Sequence, residues 1–283
     1  MNEYKSIVSD GFELNICIKG TGKPVLVVGS SVYYPRLYSE ELFRDFQFVF
    51  MDHRGFVRPP RKLVPEDYTL DKILSDIEKV RLTLNLTEIV ILGHSGHAFM
   101  ALEYAKKYPD NIDKIMLLNA APTNSKKRQE GSNLFFNQDA IKERKDVLTK
   151  GMALLQSDIE EDPERRFVHM CLRMGAMSFY DYNFDASYLW KGVFTNMEII
   201  DYLWGDAFAK IDITEGLNEL NKPILVGLGR FDYLVAPTTL WEPIISNFPQ
   251  IKKVVFEKSG HNPMLEEETH FNEVLTNFII KQN

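Results

Sequence analysis

The chain has 283 residues, of which 45% are hydrophobic and 26% charged, with a formal net charge of −7. This length and composition allow a sizeable buried core and are typical of a globular protein, not of a disordered or fibrous one. The acidic balance also argues against a nucleic-acid partner, because binding to a phosphate backbone draws on clustered Lys and Arg side chains.

Cysteine usage and hydropathy exclude further classes. Cys17 and Cys171 lie far apart in the sequence and form no metal-spaced pair, so neither a disulfide framework nor a zinc site is indicated. The first residues are polar and lack the pattern of a secretory signal, and no stretch approaches the ~20 apolar residues that span a bilayer. We therefore expect a cytoplasmic protein with no metal and no membrane partner.

The first predicted element is a hairpin, because residues 4–18 alternate between apolar and polar around Asp10-Gly11. Short, apolar, β-branched runs follow, which is typical of strands buried on both faces of a parallel sheet. These runs cover residues 25–28, 48–51, 88–92, 115–118, 224–228 and 253–256. Helical spacing of apolar residues between them predicts helices over 69–84, 98–108, 238–247 and 266–280.

The regular alternation of strands and helices stops near Pro122 and resumes near Leu217, and the stretch between is rich in aromatic residues. We interpret it as an inserted helical cap at 122–214, between core segments at 1–121 and 215–283. The predicted fold class is α/β, with a mostly parallel central sheet and helices on both faces. In such sheets, sites form at the carboxyl ends of the strands.

The strongest local motif is Gly93-His94-Ser95-Gly96-His97, where a predicted buried strand ends in a turn that opens a helix. Gly93 and Gly96 remove side chains that would clash as the chain reverses, so Ser95 can be presented above the sheet edge. The Gly96 N–H can donate to a developing oxyanion. The alternative is an ordinary loop with a serine cap. His94 and His97 are poorly placed to take the serine proton and are interpreted as structural or substrate-binding residues.

Two later loops supply the partners that a nucleophilic serine needs. Asp232 follows the strand predicted at 224–228, and His261 follows the one at 253–256. Alone, each residue is more typical of a turn or an exposed loop. Serine, acid and histidine nevertheless occur in that order, each just beyond a strand of one inferred sheet. The sequence therefore predicts Ser95 as nucleophile, His261 as general base and Asp232 as the acid that orients the base.

With these motifs, residues 25–280 resemble the α/β-hydrolase superfamily. Asp52-His53-Arg54-Gly55 is similar to the D-x-R-G turn of lidded members, and residues 229–237 and 260–266 are similar to the acid and histidine regions. The resemblance implies a hydrolase fold with an inserted helical cap. Branches with an aspartate nucleophile, such as dehalogenases and epoxide hydrolases, are disfavoured because Ser95 occupies the nucleophile position.

The chain departs from the family pattern at two positions. His97 stands where a small residue is usual, so we expect looser packing of the helix on the strand or a narrowed pocket. Gly29-Ser30-Ser31 replaces the familiar His-Gly segment after the third strand. By position, the resemblance assigns the second oxyanion donor to the backbone N–H of Ser31, with Ser30 next to it as a substrate-binding residue.

These residues predict acyl transfer to water: a serine hydrolase that cleaves an ester, lactone or amide of a small molecule or short peptide through an acyl-enzyme on Ser95. No metal or organic cofactor is required, and the sequence does not determine the oligomeric state. One alternative is a non-catalytic ligand-sensing or partner-binding protein on the same fold. Another is a cofactor-free oxygenase or perhydrolase.

The sequence of the cap does not determine the substrate class, and the resemblance also allows a proline-iminopeptidase-like aminopeptidase. Residues 174–204 loosely resemble the lids of proline-iminopeptidase-like hydrolases, in which lid acids bind the amino terminus of the substrate. Glu160, Glu161, Asp162 and Glu164 are the corresponding candidates here, although a solvated acidic turn explains them equally well.

Overall fold

An eight-stranded sheet organises the chain in the computed structural model, which describes residues 2–281. The strand order is β1-β2-β4-β3-β5-β6-β7-β8. β1 and β2 pair antiparallel, as do β2 and β4, and all other neighbours are parallel. The strands are β1 Asn2–Ser9, β2 Phe12–Lys19, β3 Lys23–Gly29, β4 Phe46–Asp52, β5 Ile89–His94, β6 Ile112–Leu118, β7 Ile224–Gly229 and β8 Ile251–Phe256. The predicted mostly parallel sheet is confirmed.

Helices cover the sheet and fill the segment between β6 and β7, which we call the cap. The helices that precede or follow the cap are α1 Leu42–Asp45, α2 Leu70–Thr83, α3 His97–Lys107, α10 Glu242–Ile245, α11 Pro263–Glu266 and α12 Glu268–Ile280. The cap helices are α4 Lys126–Asp139, α5 Lys142–Met152, α6 Leu155–Glu161, α7 Arg166–Arg173, α8 Gly175–Ser178 and α9 Met197–Tyr202. Within the described residues, no helix has both the length and the apolar character that a membrane crossing requires.

Alternate side chains of the central strands enter two cores, one on each face of the sheet. Leu26 and Val28 pack in the core that contains α2 and α3 residues. Val25 and Val27 pack in the core that contains α12 residues. Because both faces of these strands are buried, their sequences are continuously apolar instead of alternating.

Two helix predictions require correction. The helix expected over 238–247 is a 3₁₀ turn, Thr238–Trp241, followed by the four-residue helix α10. The buried Trp241 ring donates its Nε1–H to the Ala120 carbonyl at 2.7 Å, and Pro243 lies in the first turn of α10. The helix expected over 266–280 is divided into α11 and α12 at Glu267, whose carboxylate instead accepts the Lys258 N–H at 2.8 Å.

Candidate active site

The turn between β5 and α3 holds Ser95 in a left-handed backbone conformation, with φ of 57°. That conformation costs a non-glycine residue roughly 1–2 kcal/mol, and the Ser95 N–H helps to hold it by donating to the Leu118 carbonyl at 2.8 Å. A Cβ on Gly93 would lie 2.4 Å from the His97 carbonyl oxygen and 2.6 Å from the Ala98 Cα. Helix α3 therefore packs closely on the strand, and the expectation of looser packing next to His97 is wrong.

The loops after β7 and β8 bring Asp232 and His261 together. Nδ1 of His261 lies 2.7 Å from Oδ2 of Asp232, and this oxygen also accepts from Asn119 Nδ2 at 2.8 Å. The other carboxylate oxygen, Oδ1, accepts the Leu234 N–H at 3.0 Å. Because a carboxylate can only accept, Nδ1 of His261 carries the imidazole proton. The lone pair of the neutral imidazole is therefore on Nε2.

Asn119 is a site residue that the sequence reasoning missed. It follows β6 directly, with φ of 49°, a left-handed conformation that asparagine tolerates better than most residues. Its Nδ2 also donates to the Gly260 carbonyl at 2.9 Å, so one amide links the acid loop to the histidine loop. The signal that could have identified it is its position directly after a buried strand, the same signal that identified Asp232.

Ser95 and His261 line one cavity of about 280 Å³ between the sheet edge and the cap. Its floor is polar and lies at the sheet edge, and its roof lies in the cap and is mostly apolar. Among the described residues, neither the Ser95 hydroxyl nor Nε2 of His261 has a hydrogen-bond partner, so both groups are left unpaired at the cavity. The floor is formed by Ser30, Ser95, Gly96 and His261, and the roof by Phe167, Met170, Met174, Trp190 and Trp204.

The prediction of Ser31 as an oxyanion donor is wrong. The Ser31 N–H donates to Oδ1 of Asp52 at 2.6 Å and is therefore already bonded. Burial raises the pKa of Asp52 to about 6. Ser30 lines the cavity instead, as Gly96 does, and within residues 2–281 the backbone N–H groups of these two residues have no partner.

His94 and His97 line the cavity, but both are almost fully buried and their ring nitrogens contact protein groups, so substrate binding by either residue stays a prediction. His94 contacts the Tyr34 hydroxyl through Nδ1 at 3.2 Å and the His261 carbonyl through Nε2 at 2.6 Å. His97 contacts the same hydroxyl through Nδ1 at 2.8 Å and Nε2 of His53 through its own Nε2 at 3.2 Å. Burial lowers the pKa of His53 to about 3 and the pKa values of His94 and His97 well below their usual range.

The chemistry of these histidines does not fit a metal site. Nδ1 of His53 accepts the Gly55 N–H at 3.0 Å, so the proton of this neutral imidazole is on Nε2, the atom that faces His97. A metal-bound histidine instead donates its second ring N–H to a neighbouring acceptor. Across the part of the chain that the structure describes, no group of three or more His, Cys, Asp or Glu side chains is arranged to hold a metal ion.

The charge in the cavity is cationic. Arg128 is the only Lys, Arg, Asp or Glu side chain among the described residues that line it. Its guanidinium donates to backbone carbonyls and neutral side chains, and burial lowers its pKa. The four acids proposed from the resemblance to iminopeptidase lids, Glu160, Glu161, Asp162 and Glu164, lie in α6 and the turn after it. None of the four lines the cavity.

The sheet topology and the strained serine turn define a hydrolase-type α/β protein. A sequence profile described as the alpha/beta hydrolase fold matches residues 17–268, and the chain belongs to this family.

The similar proteins include curated relatives and a solved structure. The AB hydrolase superfamily protein YclE of Bacillus subtilis (strain 168) is 54% identical over 265 residues, which cover 94% of this chain and 94% of YclE. A proline iminopeptidase of Heyndrickxia coagulans is 26% identical over 276 residues, which cover 92% of this chain and 91% of that protein. The structure of an esterase from Exiguobacterium antarcticum has a TM-score of 0.68 at 21% identity, with 99% of this chain and 100% of the esterase covered. At that identity the likeness concerns the fold alone.

Proposed function

We propose that this protein is a serine hydrolase that cleaves an ester, lactone or amide through an acyl-enzyme on Ser95. One observation carries the proposal. A serine in a strained left-handed turn and an imidazole bonded to a buried carboxylate line the same cavity. Strain of this kind is concentrated at functional sites.

The first step is attack by Oγ of Ser95 on the carbonyl carbon of the substrate while Nε2 of His261 takes the hydroxyl proton. Asp232 fixes the tautomer that leaves Nε2 unprotonated and stabilises the imidazolium that forms. Catalytic hydrogen bonds are often long in ligand-free enzymes and tighten when substrate binds. The unpaired Ser95 hydroxyl is therefore compatible with this role.

The tetrahedral intermediate places negative charge on the former carbonyl oxygen, next to the floor of the cavity. The unpartnered N–H groups of Ser30 and Gly96 are the donors that we assign to it. His261 then returns its proton to the leaving alcohol or amine. In the second half of the reaction it takes a proton from the water that attacks the acyl-enzyme, and it gives this proton to Oγ of Ser95 as the acid is released.

The cavity favours an acyl group that is apolar and neutral or anionic. Its roof consists mostly of aromatic and methionine side chains, and no described carboxylate lines the cavity. An aminopeptidase must accommodate a cationic amino terminus, for which Arg128 provides the wrong charge. We therefore favour esterase, lactonase or acylated-amide hydrolysis over the aminopeptidase activity named for the Heyndrickxia relative.

The mechanism is tested with a fluorophosphonate probe and short activated esters. Ser95→Ala should abolish covalent labelling and lower kcat by roughly 10⁴–10⁶-fold, the range for loss of a catalytic nucleophile. Ser75→Ala, which changes an exposed serine on α2, is the matched control and should behave as the native protein. Labelling and turnover that survive in Ser95→Ala contradict the proposal. Stoichiometric ligand binding without turnover by the native protein favours the ligand-sensing alternative.

The substrate class is tested by comparing aminoacyl arylamides with their N-acetylated forms and with simple acyl esters and lactones. We expect turnover of the substrates that lack a free amino group. Release of proline from an unmodified prolyl arylamide at a higher kcat/KM than any ester would select the peptidase function and contradict the charge argument.

A further inference from the structure

We propose that His53, His97, Tyr34 and His94 form a directional hydrogen-bond relay that positions His261. This inference depends on the proposed function, because it takes His261 as the general base. The four side chains connect the turn after β4 to the loop after β8 and are buried throughout. We assign them as positioning residues because they act through the backbone of His261.

Both ends of the relay are backbone groups, and this fixes every proton in it. At the first end, the Gly55 N–H donates to Nδ1 of His53 at 3.0 Å. Nε2 of His53 therefore carries the proton and donates to Nε2 of His97 at 3.2 Å. His97, which accepts at Nε2, carries its proton on Nδ1 and donates to the Tyr34 hydroxyl oxygen at 2.8 Å.

The second half of the relay follows from the first. The Tyr34 oxygen accepts from His97, so its own proton is directed to His94, where Nδ1 lies at 3.2 Å and the carbonyl oxygen is a longer second acceptor at 3.5 Å. His94 then carries its proton on Nε2 and donates to the His261 carbonyl oxygen at 2.6 Å. Because a carbonyl can only accept and an amide N–H can only donate, the order cannot be reversed.

The relay holds one side of the His261 backbone, and the cap holds the other. The His261 N–H donates to the Ser178 carbonyl in α8 at 2.5 Å, while its carbonyl accepts from His94. With both peptide groups fixed and Nδ1 bonded to Asp232, the direction in which Nε2 points is determined. A displacement of about 1 Å in a catalytic group can cost roughly 100-fold in rate.

An additional proton has no place on His53 or His97. A charged His53 would direct Nδ1–H at the Gly55 N–H, and a charged His97 would direct Nε2–H at Nε2–H of His53. The pKa values of the three histidines, which burial lowers, agree with neutral rings. A buried polar network of this kind rigidifies its surroundings when every member is satisfied and loses that property when one link is missing.

The first experiment uses the native protein and observes the imidazole nitrogens by ¹⁵N NMR at neutral pH. We expect three neutral rings with the proton on Nε2 in His53, on Nδ1 in His97 and on Nε2 in His94. Single-residue variants that are still folded provide the assignments. A charged ring, or a different tautomer at any of the three positions, overturns the relay whatever the activity of the protein.

The second experiment compares two variants that each remove one buried tyrosine hydroxyl. Tyr34→Phe breaks the relay between His97 and His94. Tyr38→Phe is the matched control, because the Tyr38 hydroxyl is buried without a partner among the described residues. For Tyr34→Phe we expect kcat and the fluorophosphonate labelling rate to fall roughly 10–100-fold, with KM unchanged. Tyr38→Phe should match the native protein.

The outcomes separate this inference from the proposed function. If Ser95→Ala is inactive and Tyr34→Phe is as active as Tyr38→Phe, the relay has no positioning role and the hydrolase mechanism stands. If Ser95→Ala retains full turnover, the mechanism fails, and with it the role of the relay. A loss in Tyr34→Phe that appears only in KM also contradicts positioning, because a displaced base changes the chemical step.

Discussion

The floor of the cavity is held by hydrogen bonds, whereas its roof is held by packing of aromatic rings. Behind the floor, Asp232 accepts three hydrogen bonds, one of them from the floor residue His261. In the roof, the Phe167 ring lies 5.8 Å from Trp190 and 5.6 Å from Trp204 between centroids. Hydrogen bonds require a defined direction, while apolar packing accepts side chains of similar volume. The floor is therefore suited to holding the catalytic groups in a fixed geometry, and the roof to selecting the substrate.

The largest effect should follow from breaking the carboxylate–imidazole pair with Asp232→Asn. An amide donor facing Nδ1 would favour the tautomer with the proton on Nε2, so the base could not accept the serine proton. We expect kcat for short esters to fall roughly 10⁴-fold with little change in KM. Asp139→Asn, which changes an acid bonded to the Tyr233 hydroxyl, is the control. A loss of less than tenfold in Asp232→Asn would contradict the assigned role.

A smaller loss should follow from Asn119→Gly, which removes the amide linking Asp232 to Gly260. Glycine adopts positive φ freely, so the backbone turn is retained and only the side-chain link is lost. We expect kcat to fall roughly 10–100-fold, as for other displaced catalytic groups. Asn85→Gly is matched to it, because Asn85 also has a positive φ of 53° but is exposed after α2. Equal kcat values for the two variants would show that Asn119 does not support the acid.

The buried histidines of the relay should also make the folding stability of the protein sensitive to acid. His53, His94 and His97 have lowered pKa values in the folded state, so the unfolded state binds more protons below pH ~6.5 and stability falls with falling pH. Asp52 and Glu266 act in the opposite direction, because burial raises their pKa values to about 6 and about 7. Because three histidines are opposed by two acids, the unfolded state still binds more protons than the folded state between about pH 4.5 and 6, and stability falls with falling pH.

Urea unfolding of the native protein and His53→Gln at several pH values tests this balance. Removing His53 should change the pH slope of the unfolding free energy by about 1.4 kcal/mol per pH unit between pH ~6.5 and about 3, the pKa of His53 in the folded state. Parallel pH curves for the two proteins would mean that His53 is protonated in the folded state. The denaturant m-value should remain constant across the series, so that the two-state comparison holds.

The smallest effect should follow from Trp204→Leu in the roof, and it should change selectivity instead of chemistry. A Cβ on Gly96 would lie 2.6 Å from the Trp204 ring, so this ring covers the serine turn closely. A smaller side chain should raise the kcat/KM ratio of long to short acyl esters by about tenfold, the scale for a change in an apolar pocket. Tyr188→Leu, which changes an exposed aromatic of the cap outside the cavity lining, should leave the ratio unchanged. A fall in kcat for every ester would contradict this prediction and show that Trp204 supports the catalytic step.

The local sequence determined the strands of the sheet and the positions of the candidate catalytic residues. Strands buried on both faces must be continuously apolar, so runs such as 25–28 and 224–228 identified β3 and β7. The loops with Ser95, Asp232 and His261 were found because each follows such a run. The prediction of a helix over 238–247 was wrong, because helical spacing does not show that the Trp241 ring is buried against Ala120.

Tertiary structure decided which polar groups are bonded to each other. The sequence placed Ser30 and Ser31 side by side, and only the approach of Asp52, 21 residues away, shows that the Ser31 N–H is occupied. The link between Tyr34 and His97 spans 63 residues and has no local pattern. Periodicity records whether a residue is buried, whereas a hydrogen bond depends on two directions in space that only the folded chain defines.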